Sequence, residues 1–208
     1  MTANGPVRTE RVVTSGTFSL DGETFDVDNN VWLIGDDAEV LIVDAAHDAA
    51  AVASAAGGRR VTAIVCTHGH DDHIGAAAEL AGLTGAPVLL HPADRELWSA
   101  VHPDRKPDGD LGDGLVLDVA GVSVRVVHTP GHTWGSCSLH VPFLDAVFTG
   151  DTLFHGGPGA TGRSYSHRPT IESSIRERLL VLPAGTVVHT GHGPDTTIGA
   201  ERANVPHA

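Results

Sequence analysis

Four stretches of this sequence end in side chains that bind metal ions. The densest is Thr67-His68-Gly69-His70-Asp71-Asp72-His73, in which His68, His70, Asp72 and His73 fall within six residues. His68 and His70, two apart on an extended segment, project the same way. Imidazole nitrogen and carboxylate oxygen are ordinary ligands of divalent metals. Three more stretches repeat the design, with an apolar run leading into a turn that carries a ligand-type residue. Residues 124–127 lead to His128-Thr129-Pro130-Gly131-His132, residues 146–148 to Thr149-Gly150-Asp151, and residues 187–188 to His189-Thr190-Gly191-His192. In each a glycine precedes the last ligand, which permits a tight turn and close backbone approach. From these stretches five histidines (His68, His70, His73, His132 and His192) and two aspartates (Asp72 and Asp151) stand out as candidate ligands, a combination chance rarely assembles.

Positioning these residues requires strands that stop at one edge. Continuous apolar runs at 40–43, 61–66, 88–91 and 187–190 read as buried strands. Further strands are expected at 18–27, 30–34, 115–119, 122–128, 136–141 and 146–149. Helices are expected at 47–56, 74–83, 93–101 and 169–182, stopped by Gly57-Gly58, Gly85 and Pro183 respectively where such breakers occur. The polar segment 103–114 and the glycine-rich segment 156–166 read as loops, the second long enough to suggest a role in binding. Strands interspersed with helices, twice over, predict an α/β architecture of two packed sheets with helices outside.

Composition narrows the function. The chain has 208 residues, 41% hydrophobic and 19% charged, enough for one domain with a substantial core. Thirteen basic against 26 acidic residues give a formal net charge of −13, a field that opposes a polyanion and so a nucleic-acid partner. No apolar run spans a membrane, and residues 1–11 lack the apolar core of a signal peptide. A cytoplasmic protein acting on a small molecule, with no membrane partner, is the expectation. Cys66 and Cys137 read as small buried hydrophobes rather than a disulfide framework. The remaining histidines, His47, His91, His102, His128, His140, His155, His189 and His207, read as core or surface residues.

The motifs THGHDDH (67–73), PGHTWGS (130–136), GDTLF (150–154) and GHGPDTT (191–197) resemble those of the metallo-β-lactamase superfamily, in particular its glyoxalase II-like (hydroxyacylglutathione hydrolase-like) branch. That resemblance implies a four-layer αββα sandwich with the site at one edge between the sheets. It implies that His68, His70 and His132 hold one metal, that Asp72, His73 and His192 hold a second, and that Asp151 bridges them. Residues 1–208 would form a single domain without the C-terminal helical domain of longer glyoxalase II enzymes. Asp44, at the end of an apolar run beside the expected site, would orient a ligand; it could equally cap the following helix. In the 156–166 loop, Arg163 and Tyr165 could contact an anion or carbonyl, and Arg163 could instead form a structural ion pair. His167-Arg168 stands where relatives often carry Asp-Phe, which leaves His167 either an extra polar contact or an exposed side chain.

An all-nitrogen-and-oxygen ligand set suits Zn²⁺, and also Fe or Mn. Two such cations, about 3.5–4 Å apart, can share a hydroxide and act on an ester-like carbonyl without a Ser or Cys nucleophile. Asp72 and Asp151 then count as catalytic as well as ligating. A thiolate, with a thiol pKa of about 8.5, leaves without protonation, whereas an amine needs a proton donor that the sequence does not offer. The expected reaction is therefore hydrolysis of a thioester, an S-acyl or S-formyl adduct of a small cellular thiol such as mycothiol. The rivals are a one-iron persulfide dioxygenase, a lactonase that opens acyl-homoserine lactones with help from Tyr165, and a phosphodiesterase or nuclease, which the charge opposes. A non-catalytic metal-binding module would be marked by a missing ligand, and none is missing.

Overall fold

A computed structural model describes residues 4–205; residues 1–3 and 206–208, His207 among them, lie outside the described residues. The chain opens with a long hairpin, β1 (Arg8–Leu20) and β2 (Glu23–Gly35). Asp21 and Gly22 turn it, both at positive φ (55° and 79°), the conformation that joins strands across two residues. The expected strand at 18–27 is thus two strand ends folded over an Asp-Gly turn. Its flanking Phe18, Leu20 and Phe25 disguise that turn as one apolar-rich run.

Four further strands complete the first sheet in chain order: β3 (Glu39–Val43), β4 (Arg60–Val65), β5 (Val88–Leu90) and β6 (Gly109–Asp110). From β3 onward they run parallel. The connections are α1 (Ala49–Ala56), the short α2 (Asp71–Ile74) with α3 (Ala77–Thr84), and α4 (Arg95–Val101). Asp48 caps α1 by accepting from the Ala51 amide. The second half adds β7 (Val116–Val119), β8 (Val122–His128), β9 (Cys137–Val141) and β10 (Ala146–Gly150). A small hairpin of β11 (Leu153–Phe154) and β12 (Gly157–Pro158) follows. Then come α5 (Arg168–Ser174), β13 (Val187–Thr190), β14 (Thr196–Thr197) and α6 (Ile198–Glu201). The second sheet runs β14-β13-β10-β9-β8-β7.

Alternation along the strands builds the layers. On β2, Val31 and Leu33 pack with Val52 of α1, Leu80 of α3 and Trp98 of α4, while Trp32 and Ile34 face the other way. There they meet Leu41, Val43, Val124, Leu139 and Phe148 in the core between the sheets. On β10, Phe148 faces that core and Val147 faces outward, to Ile171, Ile175 and Ile198. The order helix, sheet, sheet, helix follows from these three clusters, and it is the αββα sandwich expected from the motifs. Both cysteines are buried and free, Cys66 in the outer core and Cys137 between the sheets, and burial pushes both thiols up.

Two expected helices differ in detail. The helix at 74–83 is broken at Gly75-Ala76, which separates α2 from α3. The helix at 169–182 is α5 followed by a π-helical turn over Ile175–Leu179, in which the Leu180 amide reaches back to the Ile175 carbonyl at 2.9 Å. Single-residue widening of this kind leaves no trace in apolar periodicity. Phe148 is fully buried and meets Trp32 edge-on at 5.9 Å. Phe148→Ala should lower the unfolding free energy by about 3–5 kcal/mol, measured by urea denaturation; a loss below about 1 kcal/mol would mean the inter-sheet core can close the cavity.

Candidate metal centre

The ligand-bearing turns follow β4, β8, β10 and β13, all at one edge of the sandwich. His68, His70 and Asp72 follow β4 directly, with Asp72 and His73 in the first turn of α2. His132 lies in the turn between β8 and β9. Register slips between Phe148 and Gly150 where β10 pairs with β13, and this bulge delivers Asp151 beside Gly191. A Cβ on Gly191 would lie 2.3 Å from Asp151 Oδ1, so only glycine lets the two strand ends approach.

The side chains converge. His68 Nε2 and His132 Nε2 stand 3.1 and 3.0 Å from His70 Nδ1. On the other side, His73 Nε2 and His192 Nε2 are 3.2 Å apart, and Asp72 Oδ2 is 3.4 and 3.3 Å from them. Asp151 stands between the trios, with Oδ2 3.5 Å from His132 Nε2 and 3.4 Å from His192 Nε2, and Oδ1 3.3 Å from His73 Nε2. His68, His70 and His132, and likewise Asp72, His73 and His192, each offer ligand atoms that lie within 4.8 Å of one another.

Outward hydrogen bonds dictate which nitrogen of each ring faces inward. The Nδ1–H of His73 donates to Asp44 Oδ2 (2.9 Å), that of His192 to the Asp28 carbonyl (2.7 Å), and that of His132 to the Ala160 carbonyl (2.9 Å). Carboxylates and carbonyls only accept, so each of these Nδ1 atoms carries the proton. Thr67 spends its hydroxyl proton on Asp44 and so accepts from His68 Nδ1 at 3.1 Å. Four imidazoles are thereby left with Nε2 turned toward the shared volume, the arrangement metal-bound histidines adopt. Asp151 Oδ1 is buried with no hydrogen-bond partner. A buried, undonated carboxylate oxygen amid converging imidazole nitrogens fits a cation and little else.

Electrostatics separates the two sides. Burial lowers His68 and His70, the latter to about 3. Burial would also lower His73 and His192, but Asp72 and Asp151, joined by Asp44 at His73, hold both above the usual imidazole range, His192 at about 10. Burial would raise Asp72; His73, the His192 hydrogen bond and the Asn29 amide outweigh it and hold the carboxyl at about 2.

Asp44 holds the His73 ring. Besides His73 it accepts from the Thr67 amide (2.7 Å) and hydroxyl (2.9 Å), and the helix-cap alternative falls to Asp48. Arg163 pairs with Glu23 Oε2 at 2.7 Å and lies over the Phe25 ring, so its structural ion pair is present, while its side chain also lines a small cavity beside His70. Tyr165 donates to Glu96 at 3.0 Å and sits at φ 68°. His167 stands just before α5, with its exposed ring bonded to Thr170 at 2.8 Å and its amide donating to the Gly131 carbonyl at 2.8 Å. Three positions that matter escape the motifs. Asp94 is buried and accepts from the amides of Gly69 (2.8 Å) and Gly135 (2.7 Å) and from the Thr133 hydroxyl, tying the turn of His68 and His70 to the turn of His132. In sequence it reads only as a helix start after Pro92. Asn29 reaches the second trio and His47 bonds Asn29, and in sequence His47 reads as background.

A family model described as the metallo-beta-lactamase superfamily matches residues 24–192, a span that contains all seven ligand-type residues. The chain belongs to the metallo-beta-lactamase superfamily. Among its superfamily relatives, the hydroxyacylglutathione hydrolase GloC of Haemophilus influenzae is 34% identical over 160 residues, 69% of this chain and 74% of GloC. The crystal structure of the BLEG-1 B3 metallo-beta-lactamase superposes with a TM-score of 0.77 at 31% identity, covering 93% of this chain and 98% of that one. A crystal structure of TTHA1623 in a di-iron-bound form does so with a TM-score of 0.76 at 30% identity, covering 86% and 95%. The superfamily and its hydrolase relatives make this chain a metal-dependent hydrolase. Among the described residues no helix is long and apolar enough to cross a membrane.

The raised imidazoles set a sign for metal uptake. At neutral pH the metal-free protein holds protons on His73 and His192 that a cation must displace, while His68 and His70 hold none to give. Zinc added to metal-free protein in weak buffer at neutral pH should therefore release acid. The apparent affinity of the second trio should rise with pH until about 10. A pH-indicator titration showing no acid release would mean that those nitrogens are already bare.

Proposed function

We propose that this protein is a dinuclear hydrolase of thioesters, cleaving an S-acyl or S-formyl adduct of a small cellular thiol such as mycothiol or glutathione. The observation that carries the reading is Asp151, placed within 3.5 Å of nitrogens from both trios. His68, His70 and His132 would hold one divalent cation, Asp72, His73 and His192 the other, and Asp151 both. Zinc, iron or manganese would suit these donors, and the likeness to a di-iron structure supports iron beside zinc. When bound, the pair would supply Lewis acidity to a carbonyl and to water at neutral pH.

The chain's own residues prepare that chemistry. Asp44, Asp28, Ala160 and Thr67 hold four of the imidazoles in one rotation with Nε2 inward, so those rings need not turn on loading. Asp94 keeps the two turns of the first trio at fixed separation. A cavity of about 70 Å³ opens beside His70 and His132, under Phe18 and against Thr161, Arg163 and Ser164. Its apolar floor can exclude water, and its hydroxyl and guanidinium groups can orient a polar acyl group. None of the residues lining it is a carboxylic acid. A thiolate leaves without a proton, whereas an amine needs one, which favours a thioester over an amide. The name of the GloC relative points to the same substrate class.

Likeness to BLEG-1 favours one rival, hydrolysis of a β-lactam amide. Zinc- or iron-loaded protein should turn over S-lactoylglutathione or an S-acyl mycothiol faster than any β-lactam or acyl-homoserine lactone. Asp151→Asn should lose more than the roughly 10–100-fold expected from disturbing a residue that only supports a ligand. Steady-state kinetics on the three panels decides. Thioesters left intact, or turnover that survives exhaustive chelation, would overturn the proposal.

A further inference from the structure

The two trios are supported differently. Backbone carbonyls, Thr67 and Asp94 fix the first. The second has, in addition, a buried side-chain amide. Asn29 on β2 is fully buried, and its Nδ2 lies 3.0 Å from Asp72 Oδ2, 3.3 Å from His73 Nε2 and 3.5 Å from His192 Nε2. These are the three atoms that the second trio turns inward. Among the described residues no side-chain amide reaches His68, His70 or His132 in this way.

The orientation of the amide follows from hydrogen-bond chemistry. An ionised carboxylate only accepts, so Nδ2–H faces Asp72 and Oδ1 faces away. Oδ1 then accepts from His47, whose Nε2 lies 2.7 Å distant. His47 is held for this contact. It sits at φ 53° between β3 and α1, and its ring packs against β1 at Gly16, where a Cβ would come within 2.2 Å of Nδ1. Three separate elements thus converge on one carboxamide, a costly construction for a group with no other partner.

We propose that Asn29, oriented by His47, is a positioning residue for the second metal position alone. By donating to Asp72 it fixes the rotation of that carboxylate, so that Oδ2 shares a focus with the inner nitrogens of His73 and His192. It thereby sets the affinity of the second position relative to the first. The inference rests on the dinuclear reading above.

Binding of zinc, followed by competition with a chromogenic chelator, tests it without reference to turnover. Wild-type protein should take up two zinc ions in resolvable steps. Asn29→Ala should leave the tighter step in place and weaken the other by about 10–100-fold. His47→Ala should act in the same direction. His47→Gln should restore most of the loss, because its carboxamide N–H can replace the imidazole Nε2–H, a rescue that a purely space-filling role would not give. Thermal unfolding of the metal-free variants shows whether each is folded; should Asn29→Ala fail to fold, the pair of variants at the partly exposed His47 carries the test. Two zinc steps that weaken together, or that neither variant moves, overturn this inference alone. A wild-type protein that binds a single zinc overturns the dinuclear reading and this inference with it.

Discussion

Lone pairs and negative oxygens from seven side chains point into one mostly buried volume, and the structure depends on how that convergence is made tolerable. Imidazoles left to themselves would rotate to avoid it. Here they cannot turn away, because each outward nitrogen but that of His70 is already committed to an acceptor fixed in the fold, Asp44, Thr67, or the carbonyls of Asp28 and Ala160. The cost of gathering like groups is thus met by the hydrogen bonds behind them, and what remains inside is a demand for positive charge. Protons satisfy part of it at His73 and His192, and cations can satisfy all of it.

This requirement explains why the site sits where it does. A sandwich of two sheets brings the ends of β4, β8, β10 and β13 to one edge, and the backbone beyond a strand end is free to turn. The packed cores on both sides of each sheet keep those ends from drifting. The bulge in β10 and the side-chain-free Gly191 trim the last distance between Asp151 and the second trio.

The convergence of the seven ligand-type residues was legible in the sequence because they are locally dense and each follows an apolar run, which put them at strand ends. The layered fold was legible for the same reason. Their supports were not. Asn29 lies 43 residues from Asp72, and Asp94 lies 41 from Gly135. An Asn in the polar stretch between two expected strands, or an Asp after a proline, carries no local mark of such a partner. His47 resembled any background histidine until the hairpin brought Asn29 over it. β1 escaped notice because its exposed and half-buried positions mix polar and apolar residues without a clean alternation. The π-helical turn after α5 depends on one hydrogen bond, which composition does not encode.

The hairpin tip has a consequence of another kind. Asp21 accepts from the Ser164 amide and Glu23 pairs with Arg163, so the turn of β1 and β2 is stitched to the segment that walls the cavity. Neither stitch involves the core or the ligands. The aperture through which a molecule reaches the centre is therefore set by a peripheral turn that evolution can rewrite cheaply. The opening can thus be reshaped at Asp21 and Glu23 without touching the converging imidazoles and carboxylates.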